Sequence, residues 1–413
     1  MPVLIFLSFN YHSKAEYNSY KHVIWADQAG YYVYLPLSFI YNFNGELLPQ
    51  DITEITGNGF ELSENGKVVT KYNYGVALLQ SPFFVAAHIF AANSNYKADG
   101  FSAPYHWAIM IAAIFYCLAG LHLLYLFLIN YVNFYVSFLS VLIILLSTNL
   151  YYYTVGQAGM SHVYSFFLFG GIIYLTDLYL RKRNPRAFNL LILCFSLALV
   201  IRPTAILLLL FLLMYNPLNV SFKKRWDIVL KPAQHIGFIL MLILIVLIPQ
   251  LLYWKYTHGN IAHYSYENEG FSNWASPKIL SVLFSANNGW FIYTPLAILL
   301  LIFLFTQQRN PIKTPSIIIL LSSIYLFSSW WIWYFGCSFG ARNFVEYYPL
   351  LCMPFAIHLN KIFTTHQKIT HKAIWTSVIA ICIYVNIKLV YSFDTCYLGE
   401  DWVYTSIINN LLN

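Results

Sequence analysis

Three stretches hold residues whose types and spacing suit chemistry. The first is Trp25-Ala26-Asp27-Gln28-Ala29-Gly30-Tyr31-Tyr32. An acid flanked by aromatics at a membrane–water boundary is placed to act as general base for a hydroxyl. The plainer alternative is a solvated loop acid or a helix N-cap. The second runs from Trp330 to Pro349 and contains Trp331, Trp333, Gly336, Ser338, Gly340, Arg342 and Glu346. Small residues let a backbone approach a ligand closely, and the planar fork of Arg342 suits phosphate oxygens. Against this, the aromatics also fit an interfacial belt, and Arg342 with Glu346 four residues on fits a structural helix pair. The third is the stretch 255–290, with His258, His263, Glu267, Glu269 and the run Asn287-Asn288-Gly289-Trp290-Phe291. It carries no HExxH or similar metal spacing, so a polar loop over a substrate groove is the better reading.

Two further residues fall near membrane depth. Arg202 sits between two apolar halves and precedes Pro203. A charge there is costly, so it is expected to face a cavity, a carboxylate or a lipid phosphate. His162, after Met160-Ser161, opens an apolar span, and a satisfied structural histidine is as good a reading as a ligand.

These residues must be positioned by helices in lipid. Of 413 residues, 59% are hydrophobic, 19% aromatic and 9% charged, against about 25% charged in a soluble domain. Apolar runs long enough to cross ~30 Å of hydrocarbon recur along the chain. They are continuous, as in Ile206–Met214 and Leu296–Phe305, which excludes a barrel of alternating strands. The fold class expected is therefore all-α and polytopic, one transmembrane domain over residues 1–413, with no soluble domain.

Residues 12–103 hold most of the polar residues. Asn44–Gly75 reads as loop, flanked by Tyr31–Phe43 and Val76–Ala92, which read as helices at the membrane surface. Val76–Ala92 alternatively reads as a short or re-entrant span. Further spans are expected near 105–130, 133–151, 161–180, 188–201, 203–216, 235–254, 291–306, 315–333, 347–362 and 374–393. With the apolar start Met1–Tyr11, read as a first span with a truncated or misassigned beginning, this makes about eleven. The pair around Arg202 is short enough to be a broken span or a shallow hairpin.

More than half of the 23 Lys and Arg residues lie in four short clusters: Arg181–Arg186, Lys223–Lys231, Arg309 with Lys313, and Lys361 with Lys368 and Lys372. With the hairpin counted as two spans, all four fall on one side, the cytoplasmic one by the positive-inside rule. The net charge of +7 is explained this way, and nucleic acid is excluded as a partner. Most acids then fall on the outer side, in the loops 12–103 and 255–290, and Asp394–Asn413 ends there too. The six cysteines are far apart, without metal spacing. Cys337 and Cys396 share the outer side, but unpaired thiols are the expectation.

The ordered set of features resembles the GT-C glycosyltransferases, in the branch of protein O-mannosyltransferases and aminoarabinose transferases. The resemblance rests on Asp27 with Tyr31-Tyr32-Val33-Tyr34-Leu35-Pro36, on Lys71-Tyr72-Asn73-Tyr74-Gly75, on Ser161-His162-Val163-Tyr164, and on Ser338-Phe339-Gly340-Ala341-Arg342. These look like a group of uncharacterised bacterial members, and the likeness covers nearly the whole chain. It implies a sugar donor on a polyprenyl phosphate and an acceptor hydroxyl from a glycan, lipid or protein. Attack on the anomeric carbon would be in line, with inversion, at the periplasmic face of a bacterial inner membrane. Asp27 takes the role of base. Arg342, then Lys71 and Arg202, take the phosphate, with His162, Gln28, Tyr31, Tyr32, Glu346 and Asn288 as further substrate-binding residues. Better-known relatives carry two adjacent acids where this chain has Asp27-Gln28. A neutral amide can hydrogen-bond a sugar hydroxyl but binds a cation poorly, so no cofactor is required and a divalent cation has no support.

Two other functions compete. A transporter or flippase for lipid-linked saccharides would place paired charges or repeats near the midplane, and neither is evident. An O-antigen ligase or polymerase would carry its large loop late in the chain, whereas here it comes first.

Overall fold

The computed structural model describes residues 1–13, 20–230, 236–267, 269–308, 310–364, 368–393 and 403–412. Lys231, Arg309, Asp394 and Cys396 lie outside the described residues. The chain is helical almost throughout. Its first part holds α1 (Pro2–Ser13), α2 (Asp27–Tyr32), α3 (Tyr34–Phe39), α4 (Ile52–Thr56) and α5 (Gly75–Ala92). Between α4 and α5 a hairpin of β1 (Glu61–Leu62) and β2 (Val68–Val69) pairs antiparallel, with Glu61 opposite Val69. Then follow α6 (Ala103–Leu128), α7 (Phe134–Ser147), α8 (Leu150–Val155), α9 (Ser161–Lys182), α10 (Pro185–Ile201), α11 (Leu208–Met214), α12 (Phe222–Leu230) and α13 (Ile236–His258). The last part holds α14 (Ile279–Phe284), α15 (Trp290–Tyr293), α16 (Leu296–Thr306), α17 (Lys313–Ser328), α18 (Tyr348–Thr364), α19 (Ile369–Ser392) and α20 (Tyr404–Leu412).

Five of these, α5, α6, α9, α13 and α19, are long and apolar enough to cross a membrane. The reason is visible in α13. Its run of Ile, Leu and Val has few polar groups, and Phe238, Leu240, Leu244 and Leu252 stand exposed on it. An exposed apolar face of that extent is untenable in water and suits hydrocarbon. At the centre α9 is buried nearly all round, packed by α6, α10 and α18.

The segment around Arg202 is a hairpin. Its tip reaches one end of α9, where Arg202 Nη1 contacts His162 Nδ1 at 3.0 Å. Its far end, Tyr215, donates to Asp177 at 2.5 Å at the other end of α9. The chain turns because Pro203 cannot donate to a helix and disfavours helical backbone at Arg202. Arg202 is extended, and a 3₁₀ turn, Pro203–Leu207, leads into α11.

Hydrogen bonds draw the described basic clusters to the Asp177 end. Arg181 pairs with Asp177, Tyr179 donates to Ile228 O in α12, and Asn133, before α7, donates to Asn360 beside Lys361. Lys313 caps the end of α16, where Phe303 stacks on His358 of α18. The polar first segment and the stretch 255–290 meet at the opposite, His162 end.

The structure corrects two expectations here. Tyr31–Phe43 is not a surface helix: it divides into α2 and α3, with Tyr31 to Leu37 buried. Its aromatic pattern serves the protein interior, which is as apolar as a lipid surface. Cys337 is disulfide-bonded, whereas Cys117, Cys194, Cys352 and Cys382 are free thiols. As for Val76–Ala92, α5 is long and apolar enough to cross a membrane and runs antiparallel to α6, with Tyr116 donating to Leu79 O and His88 meeting Tyr105.

Candidate functional site

At the His162 end a cavity of about 430 Å³ opens between the first segment, the hairpin tip, the 255–290 stretch and the loop before α18. That volume falls in the range of small-molecule sites. Asp27 reaches it as the first residue of α2. Ala26 before it holds φ 49°, a left-handed backbone unusual for a residue with a Cβ. Neighbours fix this kink. Ala26 N–H donates to Thr56 O at 2.8 Å. Gly59 approaches so closely that a Cβ there would lie 2.2 Å from Ala26 O. Gly57, at φ 57°, ends α4 under the Trp25 ring, where a Cβ would lie 2.4 Å away.

Arg342 comes from 315 residues away and donates from Nη2 to Asp27 Oδ2 at 3.3 Å. It opens the 3₁₀ turn Arg342–Tyr347, and the loop before that turn is braced on two sides. Asn288 donates to Tyr334 O at 2.9 Å and Gly336 O at 3.0 Å. Tyr153 exchanges two bonds with Phe339 backbone, at 3.2 and 3.3 Å. Burial works against the charge of Arg342, but Asp27 and the Tyr153, Tyr72 and Tyr31 hydroxyls outweigh it and hold its pKa above the usual value. Tyr72 is pushed well up by burial and then by Asp27, so it stays a neutral phenol beside the carboxylate.

Two more cations line the same space. Lys71 Nζ pairs with Glu269 Oε1 at 2.9 Å and lies 5.6 Å from the Tyr72 ring centre. Arg202, at the hairpin tip, spreads its guanidinium over three partners. Nη1 contacts His162 Nδ1, Nη2 donates to Asn343 Oδ1, and Nε lies 3.3 Å from Glu346 Oε1. Glu346 Oε2 is 3.2 Å from His162 Nδ1. Burial pushes the Glu346 carboxyl up to about 7, against the lowering pull of Arg202 and Arg342. An aromatic wall completes the cavity. Tyr31 packs on Tyr72 with ring centres 4.3 Å apart, and Trp330 meets Phe271 at 4.9 Å and Tyr266 at 5.9 Å.

Of the residues expected at a site, Asp27, Gln28, Tyr31, Lys71, His162, Arg202 and Arg342 all line this cavity. Gln28 has little left to offer a ligand, since its amide bonds Gly159 N–H and His22 O, both at 2.8 Å. Three of the expected residues are not among the lining residues. Tyr32 points into the core and donates to Gly100 O at 2.5 Å. Asn288 is spent on the loop backbone. Glu346 is wholly buried behind Arg202 and His162. The Arg342–Glu346 pair, the alternative to a ligand role, does not form. In a 3₁₀ turn residues three apart eclipse, so residues four apart diverge, and the two side chains go to Asp27 and to Arg202.

Sequence reasoning passed over Asn343, Tyr72 and Tyr266, which also line the cavity. The signal for Asn343 was its place after Arg342, and for Tyr72 its place in the stretch Lys71–Gly75; for Tyr266 there was none beyond the abundance of tyrosine. His258 stacks on His263 at 3.5 Å while Glu269 turns to Lys71. Among the described residues no three His, Cys, Asp or Glu side chains group as metal ligands. In comparisons with family models, characterised proteins and solved structures, the chain matches none.

Proposed function

We propose that this chain is a polytopic membrane glycosyltransferase of the GT-C type, with about eleven spans. In this reading it moves a sugar from a polyprenyl-phosphate donor to a hydroxyl acceptor, and the cavity holds the donor head group. One observation carries the reading: a partly exposed carboxylate, Asp27, shares one aromatic-walled cavity with three cations, Arg342, Arg202 and Lys71. The cavity lies at the end of the bundle away from the basic clusters. In this reading that end is the outer one, as the positive-inside rule supports, and the site faces the periplasm from a bacterial inner membrane.

The chemistry follows from the charges. Asp27 Oδ takes the proton of the acceptor hydroxyl as its oxygen attacks the anomeric carbon. The bond from that carbon to the phosphate oxygen breaks, and its electron pair leaves with polyprenyl phosphate. The departing phosphate gains negative charge, which preorganised guanidinium and ammonium groups stabilise. Attack opposite the leaving group inverts the anomeric centre. Asp27 is paired with Arg342 before substrate arrives, so entry of the phosphate competes for the guanidinium and frees the carboxylate. The Tyr31, Tyr72 and Tyr266 faces offer an apolar wall to the sugar or the first prenyl units. No step requires a metal ion.

The test is release of polyprenyl phosphate by purified protein from polyprenyl-phosphate sugars, with a cell-envelope fraction as acceptor. Wild type is expected to release it and Asp27→Asn is not, with donor binding kept in both. Equal release from both would remove Asp27 from the chemistry. Binding without release across all donors would favour a flippase.

A further inference from the structure

Four tyrosines line the cavity, and three of their hydroxyls are placed against the protein. Tyr264 donates to Glu269 O at 2.8 Å. The Tyr31 hydroxyl lies against Ser161, and the Tyr72 hydroxyl against Asp27. The fourth, Tyr266, makes no hydrogen bond through its hydroxyl among the described residues. Its ring is nevertheless held. It meets Trp330 edge-on at 5.9 Å and Tyr72 edge-on at 6.4 Å. The backbone around it is fastened to both rims of the cavity. Ser265 Oγ donates to Lys71 O at 2.9 Å, Glu269 N–H donates to Tyr266 O at 2.8 Å, and Trp331 N–H donates to Gly270 O at 2.8 Å. A donor fixed before its ligand arrives loses little freedom on binding.

The charged groups that face this hydroxyl are Arg202 of the hairpin tip, Arg342 of the 3₁₀ turn and Asp27 of α2, with the Tyr31 hydroxyl beside them. Lys71 Nζ lies 5.8 Å from the Tyr266 ring centre. Tyr266 therefore stands across the cavity from the same cations that draw an anion into it. A phenol has one proton to donate, and the best acceptor for it is a charged oxygen. We propose that Tyr266 is a phosphate-binding residue, whose hydroxyl donates to a non-bridging oxygen of the donor phosphate lodged between Arg202 and Arg342. This rests on the cavity being the donor site. A sugar hydroxyl is the poorer partner, because a place ringed by cations attracts an anion and offers a neutral hydroxyl nothing comparable. The 255–290 stretch thus belongs to the donor site and does more than cover it.

Three probes separate the phosphate from the rest of a donor: farnesyl methyl phosphate, a monoanionic diester without a sugar; farnesyl glucosyl phosphate; and farnesyl methyl ether, which has no phosphate. Their affinities for full-length protein in detergent are compared between wild type and Tyr266→Phe, which removes one hydroxyl and keeps the ring. The variant is expected to bind both phosphate probes about tenfold more weakly, the scale of one hydrogen bond to a charged group, and the ether as wild type does. Its unfolding midpoint is expected to stay within error of wild type, because the hydroxyl bonds nothing in the free protein. Equal affinity of the two proteins for farnesyl methyl phosphate overturns the proposal. A loss confined to the glucosyl probe does so too, since the hydroxyl then serves the sugar. An equal loss for the ether places the effect in the apolar wall, and a collapsed midpoint places it in the fold; either overturns the proposal. If wild type binds neither phosphate probe, the donor-site reading falls and the proposal with it. If affinities behave as expected while polyprenyl-phosphate release fails in every donor assay, Tyr266 stands as a phosphate ligand and the transfer reading falls.

Discussion

The two ends of α9 carry polar networks of similar composition and opposite character. At the Asp177 end the carboxylate accepts from Arg181 at 2.8 Å, Tyr131 at 3.0 Å, Tyr215 at 2.5 Å and Asn130 at 3.3 Å. Arg181 in turn donates to Tyr131 at 2.7 Å. All four donors converge on a carboxylate that is only 2% exposed, and the network ties the loop after α6, the end of α9 and the foot of the hairpin together. At the His162 end the same kinds of residue face a cavity, and capacity is left over. Asp27 keeps 36% of its side chain exposed where Asp177 keeps 2%, and Asn343 has an unspent amide. A charge satisfied from within holds a fold, while a charge left partly unspent is available to a ligand. This difference, rather than the presence of charges in an apolar bundle, is what marks the site.

Substitutions sharpen the contrast. Asp27→Asn is expected to slow transfer by about a thousandfold, the usual scale for a general base, with the unfolding midpoint within error of wild type. Asp177→Ala is expected to do the reverse. It leaves Arg181 and two tyrosine hydroxyls without their acceptor and costs about 3 kcal/mol of stability, read as a drop in midpoint, with turnover per folded molecule preserved. Similar stability losses from both would erase the distinction between the two ends. Arg342→Lys keeps the charge but loses the planar fork. It is expected to raise the KM for donor about tenfold, which steady-state kinetics at fixed acceptor would show.

The comparison also shows what a sequence can disclose. The helices were legible because continuous apolar runs have few alternatives in lipid, and Arg202-Pro203 was legible as an interruption because a charge followed by proline breaks a helix on two counts. Which of two breaks it made was settled only by partners at the two ends of α9. The pairing of Asp27 with Arg342 could not be read at all, since nothing local specifies a partner 315 residues away. Glu346, expected to bind substrate, is buried behind Arg202 and His162, and the alternative of a pair with Arg342 fails because four-residue spacing implies one only on an α-helix. The burial of Tyr31–Phe43 escaped for a related reason: an aromatic, apolar stretch looks the same against lipid as against protein.

The smallest effect tests whether the outermost charge of the cavity belongs with the site or with the scaffold. Lys71 and Glu269 form a pair with 38% and 29% of their side chains exposed. Such a pair contributes about 0–1 kcal/mol to stability, so Lys71→Ala should barely move the midpoint. If Lys71 serves only to hold the 255–290 stretch over the cavity, exchanging the two charges, Lys71→Glu with Glu269→Lys, restores both pairing and activity. If its ammonium also meets the donor phosphate, the exchange restores the pairing while moving the positive charge to the other wall. Donor KM then stays about fivefold above wild type, because a point charge acts through distance and not through its partner. The second outcome is expected, since Lys71 Nζ lies over the Tyr72 ring and on the lining of the same cavity as Asp27 and both arginines.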